Sequence, residues 1–219
     1  MEGRPLPLDD AARAAQEAGL VRVIRAIKAR YPDAKLIFNR GFEILPQAYA
    51  RRLPVTSMFK PPHQESLRAW IERMRTRPNM AMAPADARGV RMVVRALKRG
   101  EAVGILPDQA PTAGEGVWAP FFGKPAYTMT LVHRLHRLTG APVAVVFSER
   151  LPRGKGYRLH LRVIGDLPED VTEAATRLNA EIEQLIALAP TQYLWGYNRY
   201  KRPKGVDAPE PAQPSSVEA

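Results

Sequence analysis

Short apolar runs alternate with helix-like segments along this chain, and the alternation is the feature that most restricts its fold. The runs VTSMF (55–59), MAMA (80–83) and AVGILP (102–107) have the length of strands. The segment at 87–100 has helical spacing of apolar residues and ends in Gly100, a residue typical of the position after a helix. Strands that alternate with helices indicate an α/β fold with a mostly parallel, mixed sheet flanked by helices.

The same patterns predict the other elements and divide the chain into three regions. Further helices are expected at 9–30, up to Arg52, and at 64–77, 126–139 and about 168–188; further strands are expected at 35–39, 142–151 and 157–164, the last two as a hairpin. Residues 108–125 have no period and are expected to form a long loop. We divide the chain into an N-terminal segment (1–46), a body (47–205) and a Pro-, Ala- and Ser-rich tail (206–219) that is expected to be disordered.

The body of the chain carries most of its positive charge. The whole chain has a net charge of +11, and residues 47–205 contribute 25 basic and 13 acidic residues, a net of +12. Such a surface attracts nucleic acid, anionic lipid or an acidic carrier protein. Nucleic acid is the least expected of these partners, because no groove-reading motif is present and the aromatic residues are not interleaved with Lys and Arg.

The chain contains no cysteine, which excludes disulfides, thiolate metal sites and a thiol nucleophile. His133 and His136 are one helical turn apart, but no carboxylate stands at a zinc-site spacing, so we interpret them as part of a partly exposed helix face. We expect no metal and no cofactor. No run approaches the ~20 apolar residues of a membrane-spanning helix, and the first residues lack the pattern of a signal peptide, so a cytoplasmic protein free to lie against a membrane is expected.

Asp108 directly follows the strand predicted at 102–107. In open α/β sheets, ligands bind beyond the carboxyl ends of the strands, and Gln109 and the aromatic Trp118, Phe121 and Phe122 follow Asp108 there. The residues alone leave two interpretations open. Asp108 belongs to a ligand site with an aromatic lip, or it is a turn residue beside ordinary core aromatics.

Four stretches in order change this balance: GILPDQ (104–109), GVWAPFFGKPAYT (116–128), GKGYRLHL (154–161) and PTQYLWGYNRYKRPKG (190–205). Together with VTSMFKPP (55–62) and WIERMRTR (70–77) they resemble the bacterial lipid A biosynthesis acyltransferases, the lauroyl and myristoyl transferases, from about Glu43 to Gly205. The resemblance implies a glycerophosphate acyltransferase-like fold. It also implies transfer of an acyl group from acyl carrier protein to a hydroxyl of an anionic phosphorylated glucosamine lipid, at the cytoplasmic face of the bacterial inner membrane.

The resemblance further implies a His-x4-Glu motif in which the histidine accepts the hydroxyl proton and the carboxylate orients the imidazole. Glu43 matches the carboxylate, but Phe38 stands at the place of the histidine, and a slip of one residue brings Asn39 there. Neither side chain accepts a proton near neutral pH. We therefore expect impaired catalysis.

The segment before Glu43 departs from the family pattern, since the family's N-terminal membrane anchor and the apolar strand leading to the histidine are not recognisable. Residues 17–46 are instead similar to a segment of the endo-α-1,4-polygalactosaminidase-like glycoside hydrolases. Our hypothesis is that a foreign segment, about 1–46, is joined to an acyltransferase body. A segment at 35–43 adjacent to the strand before Asp108 would complete the sheet, whereas a separated one would be an appendage.

By the same resemblance, the residues expected to contact substrate are Lys60, Arg73, Asp108, Gln109, Phe121, Phe122, Gly123, Arg199 and Lys201. Lys60 and Arg73 are candidates for phosphate contact, with a solvated loop lysine as the alternative for Lys60. Arg199 and Lys201 follow the segment QYLWGY (192–197), expected to be an aromatic helix, and are candidates for holding lipid phosphates at the membrane surface. The alternative there is a core-packed Trp195 beside a basic helix end.

Two further functions of different classes stay open from the sequence. A non-catalytic protein that binds lipid or the carrier protein would bind tightly without turnover. A basic nucleic-acid-binding module would show salt-sensitive binding to DNA rather than to anionic vesicles.

Overall fold

The computed structural model describes residues 37–38, 54–59 and 79–209, with only the backbone strand described at 37–38. One mixed sheet contains six strands in the order β3-β2-β4-β1-β7-β8. Its strands are β1 (Ile37–Phe38), β2 (Val55–Phe59), β3 (Met80–Pro84), β4 (Ala102–Gly104), β7 (Val143–Arg150) and β8 (Tyr157–Gly165). A separate antiparallel hairpin is formed by β5 (Gly116–Phe121) and β6 (Lys124–Met129).

The sheet is parallel except at one edge. β1 pairs in parallel with β4 on one side and β7 on the other, and β2 pairs in parallel with β3 and β4. Only β8, at the edge, runs antiparallel, joined to β7 by the predicted hairpin. The α/β fold class with a mostly parallel mixed sheet is confirmed.

The inner strands of the sheet are covered on both faces, as parallel strands require, whereas the edge strands β3 and β8 are partly exposed. Val143 and Val145 belong to the main hydrophobic cluster, and the intervening Ala144 and Val146 are also buried. Side chains alternate between the two faces of a strand, so buried residues at successive positions mean that water is excluded on both sides. This explains why the strands read as continuous apolar runs in the sequence.

Three helices of the described residues contribute to the same cluster: α1 (Ala87–Lys98), α2 (Leu131–Thr139) and α3 (Val171–Leu188). α1 packs against β2, β3 and β4, α3 packs against β7 and β8, and α2 contacts both helices. Asp86 caps α1 by accepting a hydrogen bond from the Gly89 amide at 2.8 Å. Gly89 is required there, because a Cβ at this position would lie 1.7 Å from the Pro84 carbonyl oxygen.

The predicted strands at 55–59 and 80–83 are confirmed, as are the helices that begin near 87 and 168. β4 ends at Gly104, before the expected 107. The predicted helices at 9–30, up to Arg52 and at 64–77 lie outside the described residues.

Two expectations on the middle of the chain are wrong. The segment 108–125 is not a loop throughout, since 116–121 and 124–129 pair as β5 and β6, and the helix expected from 126 begins at Leu131. The two-residue turn at Phe122 and Gly123 has positive φ at both positions, 46° and 72°, as the tight hairpin turns with the favoured twist require.

Opposed prolines conceal this hairpin in the sequence. Pro120 pairs with Pro125, and prolines donate no hydrogen bond to a sheet ladder. Hydrogen-bonded and non-hydrogen-bonded pairs alternate in an antiparallel ladder, so the prolines fit at a non-hydrogen-bonded pair. Two prolines within ten residues normally argue against a strand, which is why the segment looks like a loop.

The first residues of the predicted tail contact the body. The Asp207 carbonyl accepts a hydrogen bond from the Trp118 indole at 3.1 Å. The Trp118 indole therefore lies against the first residues of the predicted tail. Residues 210–219 lie outside the described residues.

Candidate functional site

The carboxyl ends of three neighbouring strands meet at one edge of the sheet. β1 lies between β4 and β7, with Phe38 paired to Gly104 and Ile37 paired to Val103 and Val143. β4 leads four residues further to Asp108, and β7 continues past its pairing with β1 to Phe147. Residues 37 and 38 therefore lie in the sheet beside the strand that precedes Asp108, instead of lying apart from it.

Asp108 is buried, with 1% of its surface exposed, whereas the adjacent Gln109 is exposed. It lines a small cavity with Phe147, Tyr193 and residues of α3. The loop that follows Asp108 is held in place by Tyr197, whose hydroxyl accepts a hydrogen bond from the Ala110 amide at 2.9 Å. Asp108 thus lies in a turn and Phe121 is a core residue, as the second interpretation expects, but the Asp108 side chain is buried.

Arg199 is in the interior, contrary to the expectation that it reaches lipid phosphates at the surface. It is 2% exposed, and its guanidinium donates to the Tyr127 carbonyl at 2.8 Å, the Thr128 hydroxyl at 2.7 Å and the Asn179 side-chain oxygen at 3.3 Å. It also lies over the Phe121 ring, 5.1 Å from its centroid. These contacts tie the C-terminal segment to β6 and α3.

Burial also changes the pKa of Arg199. Loss of hydration lowers the pKa of the Arg199 guanidinium from its usual range, while neighbouring tyrosines and Asp108 favour its charged form. Asn179 completes the network by donating to the Pro120 carbonyl at 2.8 Å and to the Thr128 hydroxyl at 3.0 Å. A buried arginine with several partners fixes the geometry of the segments around it.

An aromatic-lined hollow of about 290 Å³ opens beside this network. Its lining residues are Phe121, Tyr193, Trp195, Gly196, Tyr197, Asn198, Arg199 and Tyr200. Tyr193 also borders the small cavity at Asp108, so the two spaces share a wall. The segment 192–197 that lines the hollow is not the aromatic helix expected from the sequence, since only a short 3-10 turn at Pro190–Gln192 precedes extended and turn residues.

Large apolar side chains are exposed at the rim of the hollow. We name this surface the apolar ridge, and its residues are Phe122 (41% exposed), Leu194 (56%), Trp195 (57%) and Tyr200 (38%). Phe122 contacts Trp195, with ring centroids 5.9 Å apart, and its amide donates to Glu183 of α3 at 2.7 Å. A phenylalanine at positive φ is strained, so the hairpin turn holds an exposed ring in a conformation that most side chains avoid.

The remaining candidates are placed as follows. Gly123 forms the second turn position beside Phe122. Lys201 is exposed, with its ammonium 5.3 Å from the centroid of the Tyr197 ring. Glu43, Asn39, Lys60 and Arg73 lie outside the described residues, and for Phe38 only the backbone strand is described.

The histidine pair on α2 makes backbone contacts. His136 is buried and its Nδ1 lies 2.8 Å from the Ala141 carbonyl, while His133 Nε2 lies 3.1 Å from the Pro168 carbonyl. The exposed face expected for both is therefore wrong for His136. Across the described part of the chain, no three His, Asp or Glu residues are grouped in a way that would hold a metal ion.

The structure thus brings Phe121 and Arg199 to one hollow, with Asp108 behind Tyr193 and Phe122 on the rim. Sequence reasoning missed Asn179, Thr128, Tyr193 and Tyr197. The hydroxyls of Tyr197 and Tyr127 each accept hydrogen bonds from loop amides, at Ala110 for the first and at Gly114 and Gly116 for the second. The sequence signal that could have identified these residues is the presence of tyrosines within the glycine- and aromatic-rich stretches.

Comparison with known proteins decides the family. The family model for bacterial lipid A biosynthesis acyltransferases matches residues 40–202. The chain belongs to this family. The match includes Glu43, Asp108 and the whole segment that lines the hollow.

Curated relatives agree with this assignment. The chain is 37% identical to the lipid A biosynthesis palmitoleoyltransferase of Escherichia coli (strain K12) over 156 residues, which is 69% of this chain and 50% of the relative. It is 33% identical over 150 residues to the lauroyltransferase of the same organism, covering 66% of this chain and 48% of the relative. A lipid A biosynthesis acyltransferase of Haemophilus influenzae is 26% identical over 147 residues, covering 67% and 46%. The chain spans about half the length of the curated relatives it matches.

Among the helices of the described residues, none is both long enough and apolar enough to cross a membrane.

Proposed function

We propose that this chain carries the acyl-transfer domain of a lipid A biosynthesis enzyme. The acyl donor is acyl carrier protein and the acceptor is a hydroxyl of an anionic phosphorylated glucosamine lipid, at the cytoplasmic face of the inner membrane. The observation that carries the proposal is the family match over 40–202, which includes both Glu43 and the Asp108 loop.

The reaction itself sets what the site must supply. The acceptor oxygen attacks the thioester carbonyl, a C–O bond forms, the C–S bond breaks and the carrier thiol leaves with a proton. The hydroxyl proton needs an acceptor as the bond forms. In the family pattern a histidine takes this proton and the residue matching Glu43 orients it, and here Phe38 or Asn39 occupies the histidine place. Loss of a positioned base typically lowers the rate about 10²- to 10⁴-fold, so we infer that this chain turns over slowly.

The backbone arrangement supports placing the missing base at position 38 or 39. Phe38 is paired with Gly104 at the end of β1, at the sheet edge that also carries the Asp108 loop. Ligands of open α/β sheets bind at this edge. A histidine at position 38 or 39 would therefore stand at the sheet edge that also carries the Asp108 loop.

The apolar ridge supports contact with the membrane surface. Trp195 and Tyr200 are residue types that favour the membrane interface, and the exposed cations Lys201, Arg202 and Lys204 follow them in the chain. No acidic residue occurs between Tyr193 and Val206. An anionic lipid surface is complementary to this combination of exposed rings and positive charge.

Several substrate contacts are part of the proposal. Lys60 and Arg73 are assigned to acceptor phosphates, and Gln109, Gly123 and Lys201 are assigned to the edges of the crevice. Arginine suits phosphate because its planar fork donates two parallel hydrogen bonds. Arg199 is reassigned to holding the wall of the hollow, because its donors face Tyr127, Thr128 and Asn179.

The test is acyl transfer from acyl carrier protein to a lipid A precursor, with the acylated product detected by mass spectrometry. We expect slow transfer by the unmodified chain and a gain of about 10²-fold or more in Phe38→His or Asn39→His. Phe38→Gln is the matched control, since it is polar but accepts no proton. Activity in the unmodified chain equal to that of the histidine variants would show that the base is not missing.

The replacement of the family's histidine by Phe38 or Asn39 also favours a second function, binding without catalysis. A chain without its proton acceptor can bind lipid or the carrier protein without acylating either. Tight binding of both partners with no product from any histidine variant would establish this role. Salt-sensitive binding to DNA, without binding to vesicles of phosphatidylglycerol, would instead indicate a nucleic-acid partner.

A further inference from the structure

Helix α1 exposes positive charge along one side. At 100° per residue, four exposed basic positions fall within a sector of about 80°. We name them the cationic stripe: Arg88, Arg91, Arg95 and Lys98. The buried residues of the helix, Gly89, Val93, Ala96 and Leu97, occupy the opposite side. The stripe extends for about 15 Å along the helix axis.

The stripe has no intramolecular counterion within the described ranges. The ion pairs found there involve none of its four residues, whereas the adjacent Arg99 pairs with Glu101 at 2.6 Å. α3 differs, since its Glu181 accepts from Arg162 at 2.7 Å and its Arg177 donates to the Ile164 carbonyl at 3.1 Å. The four stripe cations are exposed and have no ion pair with another residue of the described ranges.

Helix stability accounts for only part of the stripe, since the helix dipole favours Arg95 and Lys98 in the last turn. Arg91 and Arg95 are like charges four residues apart, a spacing that disfavours a helix. Arg88 lies in the first turn, where the helix dipole favours negative charge, and that turn has no acidic residue. Solubility alone would be served equally well by mixed charges, as on α3. Arg88 and Arg91 therefore keep positive charge where the helix itself does not favour it, which is consistent with a binding partner.

The surface of α1 suits a partner that is recognised by charge and not by apolar contact. The large exposed apolar side chains of the described residues include none on α1. This separates the stripe from the apolar ridge, whose turn is attached to α3 through Glu183. A bilayer would be expected at the ridge, and a protein surface with carboxylates spaced over about 15 Å matches the stripe.

The stripe begins at the sheet edge to which a carrier would have to deliver the acyl chain. α1 begins at Ala87, three residues after β3 ends at Pro84, so its first turn lies at the carboxyl edge of the sheet. Asp108 follows the carboxyl end of β4 at that same edge, where ligands of open α/β sheets bind. A carrier docked along the stripe would have one end close to this edge.

We propose that the cationic stripe is the docking surface for the acyl donor, an acidic carrier protein. The proposal rests on the proposed function, which names an acyl carrier protein as donor. Carboxylates of the carrier pair with the exposed cations of α1. Because the contacts are largely electrostatic, binding weakens as ionic strength rises.

The experiment measures binding of purified acyl carrier protein to the full chain by isothermal titration calorimetry. We expect Arg91→Glu/Arg95→Glu to weaken binding about tenfold or more. The matched control is Arg153→Glu/Lys155→Glu, which makes the same change in net charge at exposed positions of the β7–β8 turn. The control is expected to bind within about twofold of the unmodified chain, since surface changes away from a contact are small. Arg91→Gln/Arg95→Gln, which adds no new charge, is expected to give an intermediate loss.

Equal losses in the two glutamate variants would show that net charge alone governs binding, and would overturn the proposal. Loss of binding to phosphatidylglycerol vesicles, with unchanged carrier binding, would assign the stripe to lipid and also overturn it. Normal carrier binding by a stripe variant in a chain that transfers acyl groups would reject the docking surface but leave the proposed function intact. Stripe-dependent carrier binding without transfer by Phe38→His would support the docking surface while rejecting acyl transfer.

Discussion

Helix α1 and the C-terminal segment 193–205 are both rich in cations, but they present different chemistry to solvent. α1 exposes Arg and Lys with no large apolar side chain, and it packs against β2, β3 and β4. The C-terminal segment exposes Leu194, Trp195 and Tyr200 and follows them with cations, while it buries Arg199. This difference in exposed apolar side chains shows that net charge alone does not identify the partner of a surface. The apolar groups beside the charges distinguish a surface suited to lipid from one suited to an acidic protein.

The largest expected effect tests whether Arg199 belongs to the fold or to the charged surface. Arg199→Leu removes a guanidinium that bonds Tyr127, Thr128 and Asn179, and we expect a loss of about 3 kcal/mol in the free energy of unfolding, because buried acceptors are left unsatisfied. Urea denaturation measures it. Lys201→Leu, at an exposed position, should stay within about 0.5 kcal/mol. Similar stability of the two variants would show that Arg199 does not stabilise the interior and would contradict its burial.

The next effect concerns the apolar ridge. The double variant Phe122→Asn/Trp195→Ser is expected to bind phosphatidylglycerol vesicles about tenfold more weakly, since each ring buries apolar area in the interface. Asparagine tolerates positive φ, so the hairpin turn should persist. Leu138→Ser on α2, where the leucine is 61% exposed, is the control for loss of an exposed apolar side chain. A loss of equal size in the control would mean that no particular ridge binds lipid.

Ionic strength should separate the two surfaces. Raising salt from 0.05 to 0.5 M is expected to weaken carrier binding about tenfold and vesicle binding only about threefold, because salt screens charges but leaves apolar burial in place. Co-sedimentation for vesicles and calorimetry for the carrier give the two slopes. If both slopes are the same, the division between the surfaces is wrong.

A smaller effect on stability is expected at the loop that follows Asp108. Tyr197→Phe removes the hydroxyl that accepts from the Ala110 amide, and we expect a destabilisation of about 1 kcal/mol. Amide hydrogen exchange should speed up at Ala110 and not in β7. Unchanged exchange at Ala110 would show that the C-terminal segment does not hold the loop.

The inner strands of the sheet are predictable because they are buried on both faces. VTSMF reads as a strand of apolar and small residues, and the structure has β2 at the predicted bounds, Val55–Phe59. The αβ alternation then leaves few topologies, so the parallel order follows from general rules. The hairpin β5–β6 was missed because its alternation is interrupted by Pro120 and Pro125, whose pairing becomes visible only across the turn.

The site was less predictable because its contacts are distant in the sequence. Arg199 lies next to exposed aromatic residues and looks like an interfacial cation. Its burial is decided by Thr128 and Asn179, 71 and 20 residues away. No local pattern in YNRYKRP indicates those partners. Asp108 lies beyond the carboxyl end of β4 as expected, but four residues after Gly104 and not directly after the strand, because β4 ends earlier than predicted.

The pH dependence of acyl transfer by Phe38→His tests most directly whether the end of β1 faces the reaction. We predict a rate that rises with pH through about 6.5, as an imidazole loses its proton, and that exceeds the rate of the unmodified chain by about 10²-fold or more. The unmodified chain should show no such step. A histidine variant with the rate and pH profile of the unmodified chain would contradict the placement of β1 at the reacting hydroxyl.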